Sequence, residues 1–193
     1  NLMARHHLRF ALETAEYFDT GYLLETKQYL QQEFVPVLCL RIGANDLLSC
    51  LHLRRPKHVT VYDTPIAQLM QQILGMFIPA GFQLSAPVFE HIEQPELLEK
   101  ELELDTLHGL LTKTAIHPTQ VRLIHQAYRV RHDELADAEQ ILQHDAKSVF
   151  KSNGSMLEPA THRNWAQRIV LRAQHYGVIP APHEPAFATL KII

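Results

Sequence analysis

Only two cysteines, Cys39 and Cys50, occur in 193 residues. That excludes a disulfide framework and is the usage expected in a reducing compartment. Glycine is scarce too, at seven residues with no cluster. Neither the G-x-G-x-x-G turn of dinucleotide sites nor the G-x-x-x-x-G-K-[ST] phosphate loop can be read. G-x-S-x-G and H-E-x-x-H are missing as well, which removes the common serine hydrolases and zincins. Basic charge is not in excess: 18 Lys+Arg face 21 Asp+Glu, for a net charge of −3. Nucleic acid is therefore not an expected partner, since phosphate neutralisation needs a basic surface. No apolar run approaches the ~18 residues of a membrane span, and Asn1–His7 carries no signal-peptide core. A cytoplasmic protein without membrane contact is expected. Position 1 is not Met, so the chain is expected to be a piece of a longer protein.

What is present is an ordinary globular composition, 46% hydrophobic and 20% charged. Apolar runs of strand length alternate with segments of helical spacing. Residues 8–13 read as a strand ending in Glu13. Residues 14–33 read as a helix with Ala15, Phe18, Tyr22, Leu23 and Leu30 on one face. Residues 35–42 form a second strand stopped by Gly43, with a short helix opened by Ala44-Asn45-Asp46. After the alternating segment 58–62, Asp63-Thr64-Pro65 reads as the cap of a helix over 66–77. A third strand is expected within 82–89, a helix from Pro95 to about His108, and a fourth strand at 113–116. Helices over about 119–129 and 133–147 follow. A loop with Asn153-Gly154 precedes a last helix, 160–176, closed by Gly177. The tail 178–193 is expected to lie extended.

Strands that are apolar throughout and separated by helices indicate a parallel sheet. Four of them suit either a small doubly wound sheet or half of a (β/α)8 barrel. The polar residues tip the choice. Glu13, Asp46, Glu90 and His117 each fall just past a strand's C-terminal end, the rim on which barrels place their chemistry. Three regions are expected: 1–130 as the C-terminal half of the barrel, 131–177 as a helical extension, and 178–193 as the tail.

Two carboxylates after consecutive strands, Glu13 and Asp46, suit Mg²⁺, a hard cation that takes one or two carboxylates and keeps several waters. Helix capping by the same two residues is the competing reading. His117, held extended by Pro118, can bind substrate or tie its own loop through ring hydrogen bonds. Lys113, if it points inward, needs a partner carboxylate. The 13 histidines are scattered, apart from His6-His7, and show no paired metal spacing on a helix face.

Three stretches, in order, carry a resemblance to a known family. They are Leu12-Glu13-Thr14-Ala15, Arg41-Ile-Gly-Ala-Asn-Asp46-Leu and Lys113-Thr-Ala-Ile-His-Pro-Thr-Gln120, with Asn153-Gly-Ser-Met-Leu-Glu-Pro159 as a fourth. The chain resembles the citrate lyase beta-subunit and malyl-CoA lyase group of TIM-barrel aldolases (HpcH/HpaI-like). The wording of Tyr62-Asp-Thr-Pro, Ala86-Pro-Val-Phe-Glu-His91 and Glu158-Pro-Ala-Thr-His is similar to the tellurite-resistance-associated subgroup described as C–C bond lyases.

The resemblance implies Mg²⁺ on Glu13 and Asp46 and a small oxo acid or CoA thioester as substrate. The metal would polarise the carbonyl and stabilise an enolate as a C–C bond breaks. It also implies a homo-oligomer in which an acidic residue, here Glu158, reaches a neighbouring subunit's barrel mouth. Glu158 and His117 are then the candidate catalytic residues. Two departures stand out: Asn45 replaces an acid beside Asp46, and Thr112 replaces the glycine before Lys113. The family's first four strands, with their substrate-gripping arginine, have no counterpart in the chain. The competing function is a non-catalytic scaffold or biosynthetic subunit that keeps the fold but has no use for paired rim carboxylates.

Overall fold

A computed structural model describes residues 8–32 and 37–181. The chain divides into two compact units, Asn1–Ala127 and Tyr128–Ile193. In the first, strands β1 (Leu8–Leu12), β2 (Val37–Ile42) and β3 (Leu84–Ser85) form a parallel sheet in the order β1-β2-β3. Parallel strands need crossovers, and helices supply them. They are α1 (Thr20–Gln32) between β1 and β2, then α2 (Ala44–Cys50) and α3 (Ile66–Phe77) between β2 and β3. Helices α4 (Pro95–Leu107) and α5 (Pro118–Ala127) complete the unit. The expected fourth strand contracts to one parallel bridge, Ala86 to Lys113. The third is also shorter than its apolar run, because Pro87 has no N–H to extend the ladder.

Alternation along the strands decides which side is packed. Leu12, Leu40, Ile42 and Leu84 enter the core together with Ile66, Leu69, Met70, Ile73 and Phe77 of α3. The α3 residues recur at helical spacing, which is why this helix was legible in the sequence. In the row between them, Ala11 pairs with Arg41 and Arg41 with Ser85. That row lines an open cleft of about 640 Å³.

Several expectations are corrected. The segment 14–33 is not one helix: a 3₁₀ turn spans Ala15–Phe18, and α1 begins at Thr20. The Asp19 carboxylate accepts the Tyr22 N–H at 2.8 Å, restarting the helix in a new phase. Tyr17, Leu23 and Leu30 are consequently buried, whereas Phe18 and Tyr22 stay exposed. The alternating segment 58–62 leads into a 3₁₀ turn, Val61–Asp63. The Asp63 carboxylate turns back to accept the Thr60 N–H at 3.0 Å and its hydroxyl at 2.7 Å, so it does not cap α3. Pro36, expected at the start of β2, lies outside the described residues.

The second unit holds α6 (His132–Leu142) and α7 (Pro159–Tyr176) around Val130, Ala138, Ile141, Leu157, Ala166 and Ile169. Its α6 ends five residues before the expected 147, at an extended Gln143. The expected loop at Asn153-Gly154 is the turn of a hairpin between β5 (Phe150–Ser152) and β6 (Ser155–Leu157). Both turn residues have positive φ, 46° and 83°, the conformation for which Asn-Gly is favoured. Strand β4 (Val130–Arg131) pairs in parallel with β7 (Val178–Ile179), so the start of the tail is a strand. Residues beyond 181 lie outside the described part. No helix among the described residues is long and apolar enough to cross a membrane.

The first unit is pinned by a buried charge cluster. Glu101 and Asp105 sit one turn apart on α4 with no exposure, and the Lys113 ammonium donates to both at 2.9 Å. The Arg55 guanidinium donates to Glu101 and, at 3.1 Å, to the Val88 carbonyl, and stacks over the Phe89 ring at 4.9 Å. The Val61 N–H and Tyr62 hydroxyl complete the carboxylates' shell at 2.8 and 2.7 Å. Burial holds the Lys113 ammonium below its usual range and pushes Arg55 down to about 10, against the pull of the acids. Burial likewise raises the Asp105 carboxyl, against the pull of Lys113. The Lys113 side chain is thus committed to α4 and has the carboxylate partners that its burial requires. Two cations and two anions balance.

Removing one member leaves an unpaired buried charge, worth about 3–5 kcal/mol. Lys113→Met is therefore expected to lower the urea unfolding free energy by about that amount. The pair Lys113→Met with Asp105→Leu should lose less than the two single changes summed. Strict additivity would show that the cluster does not act as a unit.

Candidate functional site

The site is assembled at the C-terminal ends of β1 and β2. Glu13 follows β1 directly. Asp46 lies in the first turn of α2, which begins at Ala44 with Gly43 in the N-cap position. The helix therefore starts earlier than a capping role for Asp46 needs, and no side-chain cap bond is formed there. Glu13 is not a cap either. The 3₁₀ turn starts after Thr14, and the Glu13 carboxylate instead accepts from Arg41 Nη2 at 2.6 Å.

Gly43 brings the two acids together. Its N–H donates to the Leu12 carbonyl at 2.9 Å, drawing the β2–α2 turn against the end of β1. A Cβ at position 43 would lie 2.4 Å from Glu13 Cβ, 3.0 Å from Glu13 Oε2 and 3.1 Å from Asp46 Oδ2. The first distance is a collision, so only glycine permits this approach. The other two place one oxygen of each carboxylate around a common point. The donor set is two hard oxygens, one half-buried and one exposed, and Arg41, the partner of Glu13, lines the open cleft. That set fits Mg²⁺, whose remaining positions are ordinarily filled by water and substrate oxygens. Among the described residues no group of three His, Cys, Asp or Glu converges.

The substitution of Asn45 beside Asp46 has a local counterpart. Asn45 Nδ2 donates to Glu90 Oε2 at 2.7 Å, tying the first turn of α2 to an acid at the end of the third strand region. Arg54 and His91 flank the other Glu90 oxygen at 3.9 Å.

His117 has its Nδ1 occupied by its own loop: the Thr119 hydroxyl lies 2.8 Å away and the Thr119 N–H donates to it at 3.4 Å. Because that N–H can only donate, Nδ1 is the acceptor and Nε2 carries the ring proton. Gln120 of the same stretch is structural. It accepts the Ile116 N–H at 3.0 Å and donates to the Phe89 carbonyl at 2.8 Å.

Glu158 lies in the second unit, at the N-cap position of α7. Its backbone N–H donates to His162 Nδ1 at 3.1 Å, while its carboxylate makes no capping bond. Of its apolar neighbours, Met156 is 64% exposed but Leu157 packs into the core of its own unit. Leu157 is thus not available to an interface: β6 alternates, and Leu157 is its inward residue.

Sequence reasoning missed Arg41 and the acids of α4. The signals were there: one arginine inside the apolar run Val37–Ile42, and two acids four residues apart between leucines of α4.

The comparisons with known proteins bear on this geometry. The C–C bond lyase family of the TIM-barrel fold matches residues 3–178. No curated protein matches the chain. Among solved structures, the protein CitE from Mycobacterium tuberculosis, in complex with magnesium, acetoacetate and coenzyme A, aligns with a TM-score of 0.65 at 23% identity. The alignment covers 89% of this chain and 62% of that one. A citrate lyase from Burkholderia xenovorans aligns with a TM-score of 0.68 at 18% identity, covering 94% of this chain and 57% of that one. RipC from Yersinia pestis aligns with a TM-score of 0.53 at 17% identity, over 65% and 53% of the two chains. The chain thus spans about three fifths of the two citrate-lyase-like chains, and the likeness is one of fold. With the family match running through almost all of the described residues, the chain belongs to the C–C bond lyases of the TIM-barrel fold.

Proposed function

We propose that the chain is the C-terminal half of a barrel enzyme that breaks a C–C bond in a small oxo acid or a CoA thioester, with Mg²⁺ held by Glu13 and Asp46. The observation that carries this reading is the convergence of the two carboxylates around Gly43. Three parallel strands and the bridge at Lys113 give four consecutive strand positions, which supports the half-barrel. The neighbour bound to magnesium, acetoacetate and coenzyme A supports both the metal and the substrate class.

When bound, Mg²⁺ supplies Lewis-acid polarisation of the carbonyl beside the breaking bond. The chain's own groups do the rest. Glu13 and Asp46 would fix the position of that charge at the C-terminal ends of β1 and β2. Asn45 ties the start of α2, which carries Asp46, to Glu90. His117, with its proton on Nε2, can donate to a substrate oxygen while Thr119 fixes the ring. Glu158 is the proposed acid or base, carried over the barrel mouth of a neighbouring copy in a homo-oligomer. Its support here is that the carboxylate is not spent on capping α7.

Asp46→Asn is expected to abolish Mg²⁺ binding in calorimetric titration and to leave the fold intact, because Asp46 is exposed and makes only a first-turn contribution of about 0.3–1 kcal/mol. Unchanged binding would end the metal reading. Gly43→Ala should weaken Mg²⁺ binding and destabilise by about 1–3 kcal/mol, since the methyl group displaces Glu13. Full affinity in that variant would mean the close approach is incidental. Glu158→Gln should lower turnover by about 10²-fold or more with Mg²⁺ affinity unchanged. Normal turnover would reduce Glu158 to a helix-end residue.

A further inference from the structure

We propose that Arg41 is the site's resident counter-cation: it occupies Glu13 until a divalent cation arrives, and is then released into the cleft to anchor a carboxylate or other anion of the substrate. This rests on the metal reading above and adds a residue that selects anionic substrates.

The argument begins with one atom. Glu13 Oε2 would lie 3.0 Å from a Cβ at position 43, and the same oxygen accepts from Arg41 Nη2 at 2.6 Å. A guanidinium and a divalent cation on one oxygen would be like charges a few ångströms apart, so binding of one opposes the other. Arg41 can leave. Its side chain is 42% exposed, and the ion pair to Glu13 is an exposed one of small strength.

Where it goes is set by the sheet. Arg41 stands in the row Ala11–Arg41–Ser85 that lines the cleft. Of the two basic residues on that lining, Lys113 has its ammonium buried between Glu101 and Asp105. Arg41 is therefore the cation a substrate anion can meet, and its planar fork of donors matches a carboxylate.

The signature is a pair of effects with opposite signs. In calorimetric titration with Mg²⁺ alone, Arg41→Met is expected to bind about threefold tighter than the unsubstituted protein, the size of an exposed ion pair. Arg41→Lys, which keeps the charge, should bind Mg²⁺ as the unsubstituted protein does. At saturating Mg²⁺, acetoacetate binding followed by ligand NMR should weaken roughly tenfold in Arg41→Met, the worth of one charged hydrogen bond. A residue that merely supports the fold would lower both affinities on substitution, and that result would overturn the proposal. So would an Arg41→Met protein that binds Mg²⁺ no tighter, or acetoacetate no more weakly. If the unsubstituted protein itself fails to bind Mg²⁺, the metal reading falls and this inference with it. If it binds and only the Arg41 effects are missing, the metal reading stands alone.

Discussion

The missing side chain at position 43 governs everything at the rim of this sheet. With a Cβ in the way, the end of β1 could not meet the start of α2, because Glu13 Cβ would be only 2.4 Å away. The approach forces two acids into one corner, a costly arrangement for a pair of anions unless a cation joins them. In the structure Arg41 pairs with one of the two, Glu13. The proposed metal and the arginine are two answers to the same electrostatic problem, which is why a strand residue and a bound ion are expected to exchange places.

The buried charge cluster of the same unit solves the problem differently. There, four charges lie fully enclosed between α4, Arg55 and Lys113, and every carboxylate oxygen has a protein donor. Such a closed cluster has no room for a ligand, and its cost in desolvation is offset only while all members remain. The contrast separates scaffold from site. Charges that are complete among themselves hold α4 against the sheet, whereas charges that are incomplete face the open cleft.

Much of this was legible in the residue order, and the rest was hidden for identifiable reasons. The strands β1 and β2, helix α3 and the closing Gly177 follow from apolar run length, periodicity and end signals; α3 and Gly177 stand as read, and β1 ends one residue before Glu13. Glu13 and Asp46 were readable because each follows its strand within four residues. Side-chain capture by the backbone was not readable: Asp19 and Asp63 turn back on nearby N–H groups and reset the helices beside them. Long-range charge pairing was equally invisible. Lys113 announced a need for a carboxylate, but only the folded chain supplies Glu101 and Asp105 from α4. Arg41 looked like a break in an apolar strand until register put it beside Glu13, 28 positions away.

The central claim is that one divalent cation sits between Glu13 and Asp46, and it is tested most directly by anomalous diffraction from crystals of the protein grown with Mn²⁺ in place of Mg²⁺. The account predicts a single strong anomalous peak within bonding distance of one oxygen from each carboxylate, with the Arg41 guanidinium no longer on Glu13. A peak elsewhere, or a Glu13–Arg41 ion pair undisturbed at saturating Mn²⁺, would contradict it.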